Sequence, residues 1–93
     1  MQTKTKYELA VNIENTSSKT MRFVLEPWAV LLEMRPAANF QVVARSPEQG
    51  KLEIQVGDGY INVYPWVETT LAVYHNGQEI GGLGDAVILP DSE

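Results

Sequence analysis

The sequence predicts an all-β protein, a small antiparallel β-sandwich of seven or eight short strands. Two observations carry this prediction. Apolar and polar residues alternate one by one over many short stretches, which is the period of a strand with one dry face. Turn-forming residues separate these stretches at intervals of about 8–12 residues, which is typical of a sandwich or of a partly closed barrel.

The length of 93 residues predicts one domain over 1–93, large enough for a single core. We expect residues 1–6 and 82–93 to be flexible tails or segments that pair with an edge strand. The segment Ala86 to Leu89 is apolar enough to form a short last strand.

The first strands follow from alternation. Residues 7–14 and 21–26 alternate, and the polar segment 15–19 between them is rich in side chains that bond their own backbone in turns. Pro27 fixes the backbone after Glu26, so we expect a corner there at which the chain passes from one sheet to the other.

The next two strands are predicted at 28–34 and 40–45. A helix is the alternative for the first of them, but prolines close the segment at both ends and it is short. The loop at Pro36 to Asn39 would place Met34 opposite Phe40, and residues 46–50 form a turn by composition.

The strongest local signal is a hairpin meander at 51–81, which begins with the Asp58-Gly59 turn. A two-residue type I′ loop there places Val56 opposite Ile61 and Ile54 opposite Val63, all on one face. The turn residues and the apolar pattern therefore predict the same register.

The second hairpin turns at Asn76-Gly77. A two-residue loop pairs His75 with Gln78 and places Val73 opposite Ile80. A five-residue loop containing Pro65 would join the two hairpins into one layer. The strand pairs that this junction predicts are Ile61 with Val73, Val63 with Leu71 and Tyr64 with Thr70.

The polar face of this meander carries tyrosines. Tyr60 and Tyr64 lie on it, and the predicted register makes Tyr60 a cross-strand neighbour of Tyr74. Such a cluster stabilises a sheet, and it is also the composition of a contact surface for a ligand or a second copy of the chain. We therefore predict Tyr60, Tyr64 and Tyr74 as binding residues.

A Pro-Trp pair ends two of the predicted strands. Phe23 to Val30 and Ile61 to Val67 share this feature, although their flanks do not otherwise align. Proline ends a ladder and tryptophan covers the end of a core, so one physical solution used twice explains the likeness. A shared rim site at Trp28 and Trp66 is the sharper hypothesis.

Composition limits the partners. The net charge of −5 and the scattered basic residues argue against nucleic acid and anionic membranes as partners. The absence of cysteine favours a reducing compartment, and there is neither a membrane-length apolar run nor a signal-peptide core. We therefore expect a cytoplasmic protein, and we take the glycosylation sequon at Asn15 as chance.

Catalytic and metal-ligating patterns are missing from the sequence. One histidine and no cysteine do not build a usual transition-metal site, and the glycines at 81, 82 and 84 lack the helix of a phosphate loop. His75 is the one ordinary general base. We therefore predict no catalytic residue, no metal and no cofactor.

The strand count resembles that of immunoglobulin-like and cupredoxin-like sandwiches, a likeness that implies a fold and no function. We expect a non-enzymatic module that self-associates or docks on a protein partner through the tyrosine face and the edge strand near Ile80. One alternative is a carbohydrate or small-ligand binder that uses Trp28 and Trp66. The other is a small hydrolase centred on His75.

Overall fold

A computed structural model describes residues 6–82, and this part of the chain forms eight strands and no helix. The strands form two four-stranded sheets. The predicted β-sandwich is confirmed, and the sheets do not close into a barrel. The strands are β1 (Tyr7–Glu14), β2 (Met21–Leu25), β3 (Val30–Met34), β4 (Asn39–Ser46), β5 (Glu53–Gly57), β6 (Tyr60–Tyr64), β7 (Thr70–His75) and β8 (Gln78–Gly82).

Each sheet combines strands from distant parts of the chain. Sheet A has the order β1-β4-β7-β8, and all its pairs are antiparallel. Sheet B has the order β3-β2-β6-β5, and its two central strands β2 and β6 run parallel. The parallel pair places the ends of β2 and β6 side by side at one end of the sandwich.

The core lies between the sheets and is built from alternate residues of every central strand. The rings of Phe23 in sheet B and Phe40 in sheet A meet edge to face, with centroids 5.1 Å apart. Burying each large side chain contributes about 1.5–3 kcal/mol. The buried cluster consists of Phe23, Leu25, Met34, Phe40, Val42, Ala44, Ile61, Val63, Leu71 and Val73.

The predicted single-layer meander is wrong at its centre. β6 pairs with β2 and β5, whereas β7 pairs with β4 and β8. The segment between Tyr64 and Thr70 carries the chain from one sheet to the other, so the pairs Ile61 with Val73, Val63 with Leu71 and Tyr64 with Thr70 do not form. Val63 and Leu71 still face the core, but from opposite sheets.

The register within the first hairpin is as predicted. Gly57 lies opposite Tyr60, Val56 opposite Ile61 and Ile54 opposite Val63. At the edge of the sheet, however, Val56 stays 70% exposed, so its inward position does not bury it.

The second hairpin departs from the prediction at one pair. His75 lies opposite Gln78 as expected, but a register shift follows at Val73/Tyr74, and Val73 pairs with Gly81 instead of Ile80. The irregularity lets Gly81 face the core, where a β-carbon on it would lie 3.0 Å from Leu32 of sheet B. Glycine at this position therefore permits close packing of β8 on β3.

The two tight turns differ. Asn76 and Gly77 both have positive φ, 54° and 78°, which is the pattern of the predicted type I′ turn. At the other turn only Gly59 has positive φ, so the predicted type I′ geometry at Asp58-Gly59 is wrong. The Gly59 carbonyl accepts a hydrogen bond from the Arg22 amide at 2.9 Å, which directs the turn toward the parallel strand β2.

The change of sheet that was predicted at Pro27 and the turn within a sheet that was predicted at Pro36 to Asn39 occur at each other's positions. Residues 26–29 form a turn within sheet B, between β2 and β3, and the peptide bond before Pro27 is cis. The predicted corner there is therefore wrong, because β3 folds back beside β2. The chain instead changes sheet between β3 and β4, so Met34 and Phe40 are not a cross-strand pair.

A buried amide fixes the loop after β1. Asn15 is 1% exposed, and its Nδ2 donates to the carbonyls of Lys19 and Met34, each at 2.8 Å. Its Oδ1 accepts from the amide and the hydroxyl of Ser17, at 2.9 and 2.6 Å. The predicted self-bonding loop is thus confirmed, and in the folded chain the sequon amide is enclosed by its own partners.

The predicted strand at Ala86 to Leu89 lies outside the described residues, as do residues 1–5 and the rest of 83–93. The predicted edge strand near Ile80 is β8, which forms one edge of sheet A.

Candidate functional site

The predicted tyrosine face is divided between the two sheets. Tyr60 and Tyr64 lie on β6, on the outer face of sheet B, and Tyr74 lies on β7, on the outer face of sheet A. The predicted contact of Tyr60 with Tyr74 is therefore wrong, because it required β6 and β7 to pair. A single site that combines all three tyrosines does not exist.

An open groove of about 400 Å³ lies across the outer face of sheet B. Cross-strand neighbours build it: Tyr60 lies opposite Arg22, and Val24 lies opposite both Asn62 and Leu31. The volume is near the lower end of the range for small-molecule pockets. The lining residues are Arg22, Val24, Ala29, Leu31, Tyr60 and Asn62.

The Tyr60 ring is positioned by a glycine. A β-carbon on Gly57, which lies opposite Tyr60, would be 2.2 Å from the ring atoms Cε2 and Cζ. The ring therefore lies against the Gly57 backbone, an arrangement in which an aromatic side chain covers a strand glycine. This contact fixes the orientation of the ring before any ligand binds.

The groove joins apolar and polar surface in a small area. Leu31 is 56% exposed, and Val24 lies beside it. Arg22 is the one lining residue that is charged at neutral pH, while the Asn62 amide and the Tyr60 hydroxyl add hydrogen-bonding groups. A ligand with an apolar face and an anionic or hydroxyl-rich edge fits this set of groups.

Arg22 has a carboxylate opposite it, on the neighbouring strand. Glu33 faces Arg22 across the β2–β3 pair, yet within residues 6–82 the one ion pair joins Arg45 and Glu8. Arg22 is an exposed residue and lines the groove. It is thus positioned to contact a ligand there.

The outer face of sheet A has a different character. Arg45 Nε donates to Glu8 Oε1 at 2.9 Å, and this bond, with a smaller contribution from Tyr74, raises the pKa of the Arg45 guanidinium. Val43, which points to the same face, is only 6% exposed. Tyr74 therefore interacts with Arg45 on the outer face of sheet A and not with the groove on sheet B.

Tyr64 is the second tyrosine on the outer face of sheet B. Its hydroxyl donates to Gln55 Oε1 on β5 at 3.2 Å, beside the groove and outside its lining.

Both predicted tryptophans lie at the end of the sandwich where β2 and β6 finish, and both are partly buried against the core. Trp66 Nε1 donates to the Glu48 carbonyl at 2.8 Å, and its ring covers Gly50, where a β-carbon would lie 2.2 Å from the ring. One face of the Trp66 indole is thus occupied by the chain itself. Trp28 precedes Ala29, which lines the end of the groove.

His75 has contacts at both ring nitrogens. Its Nδ1 lies 3.3 Å from the Asn39 carbonyl and its Nε2 lies 3.3 Å from the Asn76 amide nitrogen. Donation from Nδ1 to the carbonyl and acceptance by Nε2 from the amide satisfy both contacts. The ring also meets Phe40 edge to face, at a centroid distance of 5.6 Å.

The described residues contain neither a metal-binding cluster nor a helix that could span a membrane. Between residues 6 and 82, no group of three or more His, Asp or Glu side chains is arranged to hold a metal ion. In the same part of the chain, no helix is long and apolar enough to cross a membrane.

Comparisons with protein-family models, with curated proteins and with solved structures find no match. The groove must therefore be interpreted from its own geometry. Sequence reasoning identified Tyr60 but missed Arg22, Val24, Ala29, Leu31 and Asn62. The likeness of residues 23–28 to 61–66 is a signal for Arg22, Val24 and Asn62, because these segments overlap the parallel neighbours β2 and β6. Ala29 and Leu31 follow from the separate pairing of β3 with β2.

Proposed function

We propose that this chain is a non-enzymatic binding module that holds a protein partner on the outer face of sheet B. The observation that carries the proposal is the open groove beside Tyr60, where an exposed leucine and an arginine lie next to a ring of fixed orientation. Tyrosine and arginine are the residue types that dominate the energy of protein interfaces.

The groove suggests the chemistry of the partner. Leu31 and Val24 favour an apolar side chain, and Arg22 favours a carboxylate close to it. The Gly57 contact reduces the ordering cost of Tyr60 on binding. We therefore propose a partner surface that presents an apolar residue beside Asp or Glu.

A displayed random-peptide library tests this function. We expect peptides selected on the full chain to carry acidic residues next to apolar ones, and to lose binding when Arg22→Glu or Leu31→Lys is introduced. Tyr60→Ala should reduce binding about tenfold or more, as expected for an interface anchor. Tyr74→Ala is the matched control, because it removes the same ring from the opposite sheet.

Two results would overturn this function. One is a set of selected peptides that bind Tyr60→Ala and Tyr74→Ala equally well. The other is a selection that yields no enrichment over the library although the unmodified chain is folded by circular dichroism.

Carbohydrate binding is a second candidate, favoured by one specific observation. An aromatic ring, an amide and a guanidinium surround the groove, and sugars bind by stacking on a ring while planar polar groups contact their hydroxyls. A glycan array with the same two tyrosine variants separates the candidates. Binding that requires Tyr60 but persists in Leu31→Lys would favour a sugar over a protein.

We further propose a cytoplasmic location. The absence of cysteine supports a reducing compartment, since small secreted domains usually carry disulfides. Fractionation of cells that express the tagged chain tests this, and recovery in the secreted fraction would contradict it.

A further inference from the structure

Strand β1 is an unpaired edge that is suited to another strand. It pairs with β4 on one side, and within the described residues no strand pairs with its other side. The Asn15 amide donates to the Ala38 carbonyl, in line with the β1–β4 register. Backbone groups alternate in direction along an antiparallel strand, so those of residues 8, 10, 12 and 14 point away from sheet A.

Two of the devices that protect a sheet edge from pairing, a proline and a bulge, are missing from β1. The eight residues of β1 contain no proline, and the register with β4 is continuous over the whole strand. The opposite edge of the same sheet, β8, is shorter and carries the irregularity at Val73/Tyr74. β1 is therefore the edge of sheet A that accepts a partner most readily.

Part of the core-facing row of β1 is uncovered. Leu9 lies opposite the fully buried Ala44 and shares its face, yet Leu9 is 38% exposed, and Tyr7 is 43% exposed. Because Gly81 of β8 approaches Leu32 of β3, β1 and β5 share the other side of the sandwich, where Val56 is also exposed. Apolar side chains are therefore exposed on β1 of sheet A and on β5 of sheet B, along the same side of the sandwich.

We propose that a second copy of this chain pairs with β1, antiparallel, about a two-fold axis at Ala10. The two four-stranded A sheets then join into one, with about six new backbone hydrogen bonds among residues 8, 10 and 12 of the two copies. Lys6 is not counted, because its amide donates to the Ser46 carbonyl of its own sheet at 3.1 Å. Neighbouring apolar side chains of the two copies cover each other. The cross-strand pairs are Ala10 with Ala10, Leu9 with Val11, Tyr7 with Ile13 and Glu8 with Asn12. The side chain of Lys6, which immediately precedes β1, then comes next to Glu14 of the other copy.

The charged residues along β1 favour this register over the alternatives. Each Lys6 meets a Glu14 of the other copy, and Glu8 is already paired with Arg45 in its own sheet. An axis at Val11 would place Glu8 opposite Glu14, and like charges directly opposite are unfavourable. An axis at Leu9 would place Lys6 opposite the neutral Asn12, and an odd shift would turn apolar side chains toward solvent.

Sedimentation velocity over a range of concentrations tests the dimer. We expect the unmodified chain to dimerise with increasing concentration. Lys6→Glu and Glu14→Lys should each raise the dimer dissociation constant about tenfold, since each creates two like-charge pairs. The double variant, which exchanges the charges, should restore dimerisation.

Glu33→Lys is the matched control for charge, because it makes the same change on β3 of sheet B and should leave the dimer intact. Ala10→Pro removes an amide that points away from the sheet, so it should leave a folded monomer. A chain that stays monomeric at every concentration overturns the proposal. So does a dimer that the single charge reversals do not weaken.

Cysteine cross-linking tests the register independently, because the chain has no cysteine of its own. Ala10→Cys places two thiols across the axis, at the separation of a directly opposed pair, and should form a covalent dimer on mild oxidation. Asn12→Cys is on the same exposed face but lies opposite Glu8, so it should not. Equal cross-linking of both variants, or none with Ala10→Cys, refutes this register.

Discussion

Replacing Asn15 with alanine should destabilise the protein by about 3 kcal/mol. The substitution leaves the carbonyls of Met34 and Lys19 without their donor, and the Met34 bond is fully buried. An unsatisfied buried polar group costs about 1–3 kcal/mol, and the removed amide volume adds a smaller term. For a domain of this size, the expected loss in Tm is on the order of 15 °C.

Urea and thermal unfolding, followed by tryptophan fluorescence, measure this loss. Ser17→Ala is the control, because it removes a partner of Asn15 Oδ1 that is partly open to water and should cost less than about 1 kcal/mol. Asn15→Asp should be as damaging as alanine at neutral pH, since an oxygen would face both carbonyls. A loss below about 1 kcal/mol for Asn15→Ala would refute the view that this amide holds the loop to the sheets.

The two glycines beneath aromatic rings, Gly57 and Gly50, lead to further predictions. Gly57→Ala meets the far end of the Tyr60 ring, which can turn aside, so peptide or glycan binding should fall while the unfolding free energy changes by less than about 1 kcal/mol. Gly50→Ala meets the inner atoms of the Trp66 ring and should cost about 2–3 kcal/mol in urea unfolding. Trp66→Phe removes the donor to Glu48 and should cost about 1 kcal/mol beyond lost packing, in the same assay.

The local hairpins follow from the sequence because their causes are local. Asn76 and Gly77 adopt positive φ, which fixes a two-residue loop and so the His75–Gln78 pair. The register shift beyond this pair was not predictable, because it depends on how close Gly81 comes to Leu32 of the other sheet. That distance is set by the packing of the two sheets, and the alternation of residues within β8 does not indicate it.

The alternation of apolar and polar residues does not determine which of the two sheets a strand joins. Val63 and Leu71 both face the core, and an apolar residue shows the same pattern whether its partner is in the same layer or in the opposite one. The loop around Pro65 can close a hairpin or cross between sheets. The predicted tyrosine face depended on this choice, so among the residues that line the groove only Tyr60 was a predicted binding residue.

The Pro-Trp likeness contains the missing information about the sheets. The pairs Phe23–Ile61 and Leu25–Val63 are in register in the parallel ladder, and the same alignment places Pro27 with Pro65 and Trp28 with Trp66. Adjacent parallel strands end at the same edge of a sheet, where each needs a residue that stops the ladder and a ring that covers the core. A shared ending at equal offsets therefore indicates parallel neighbours, even when the flanking residues differ. Applied here, that criterion pairs β2 with β6, sends β7 to the other sheet, and brings Arg22 beside Tyr60.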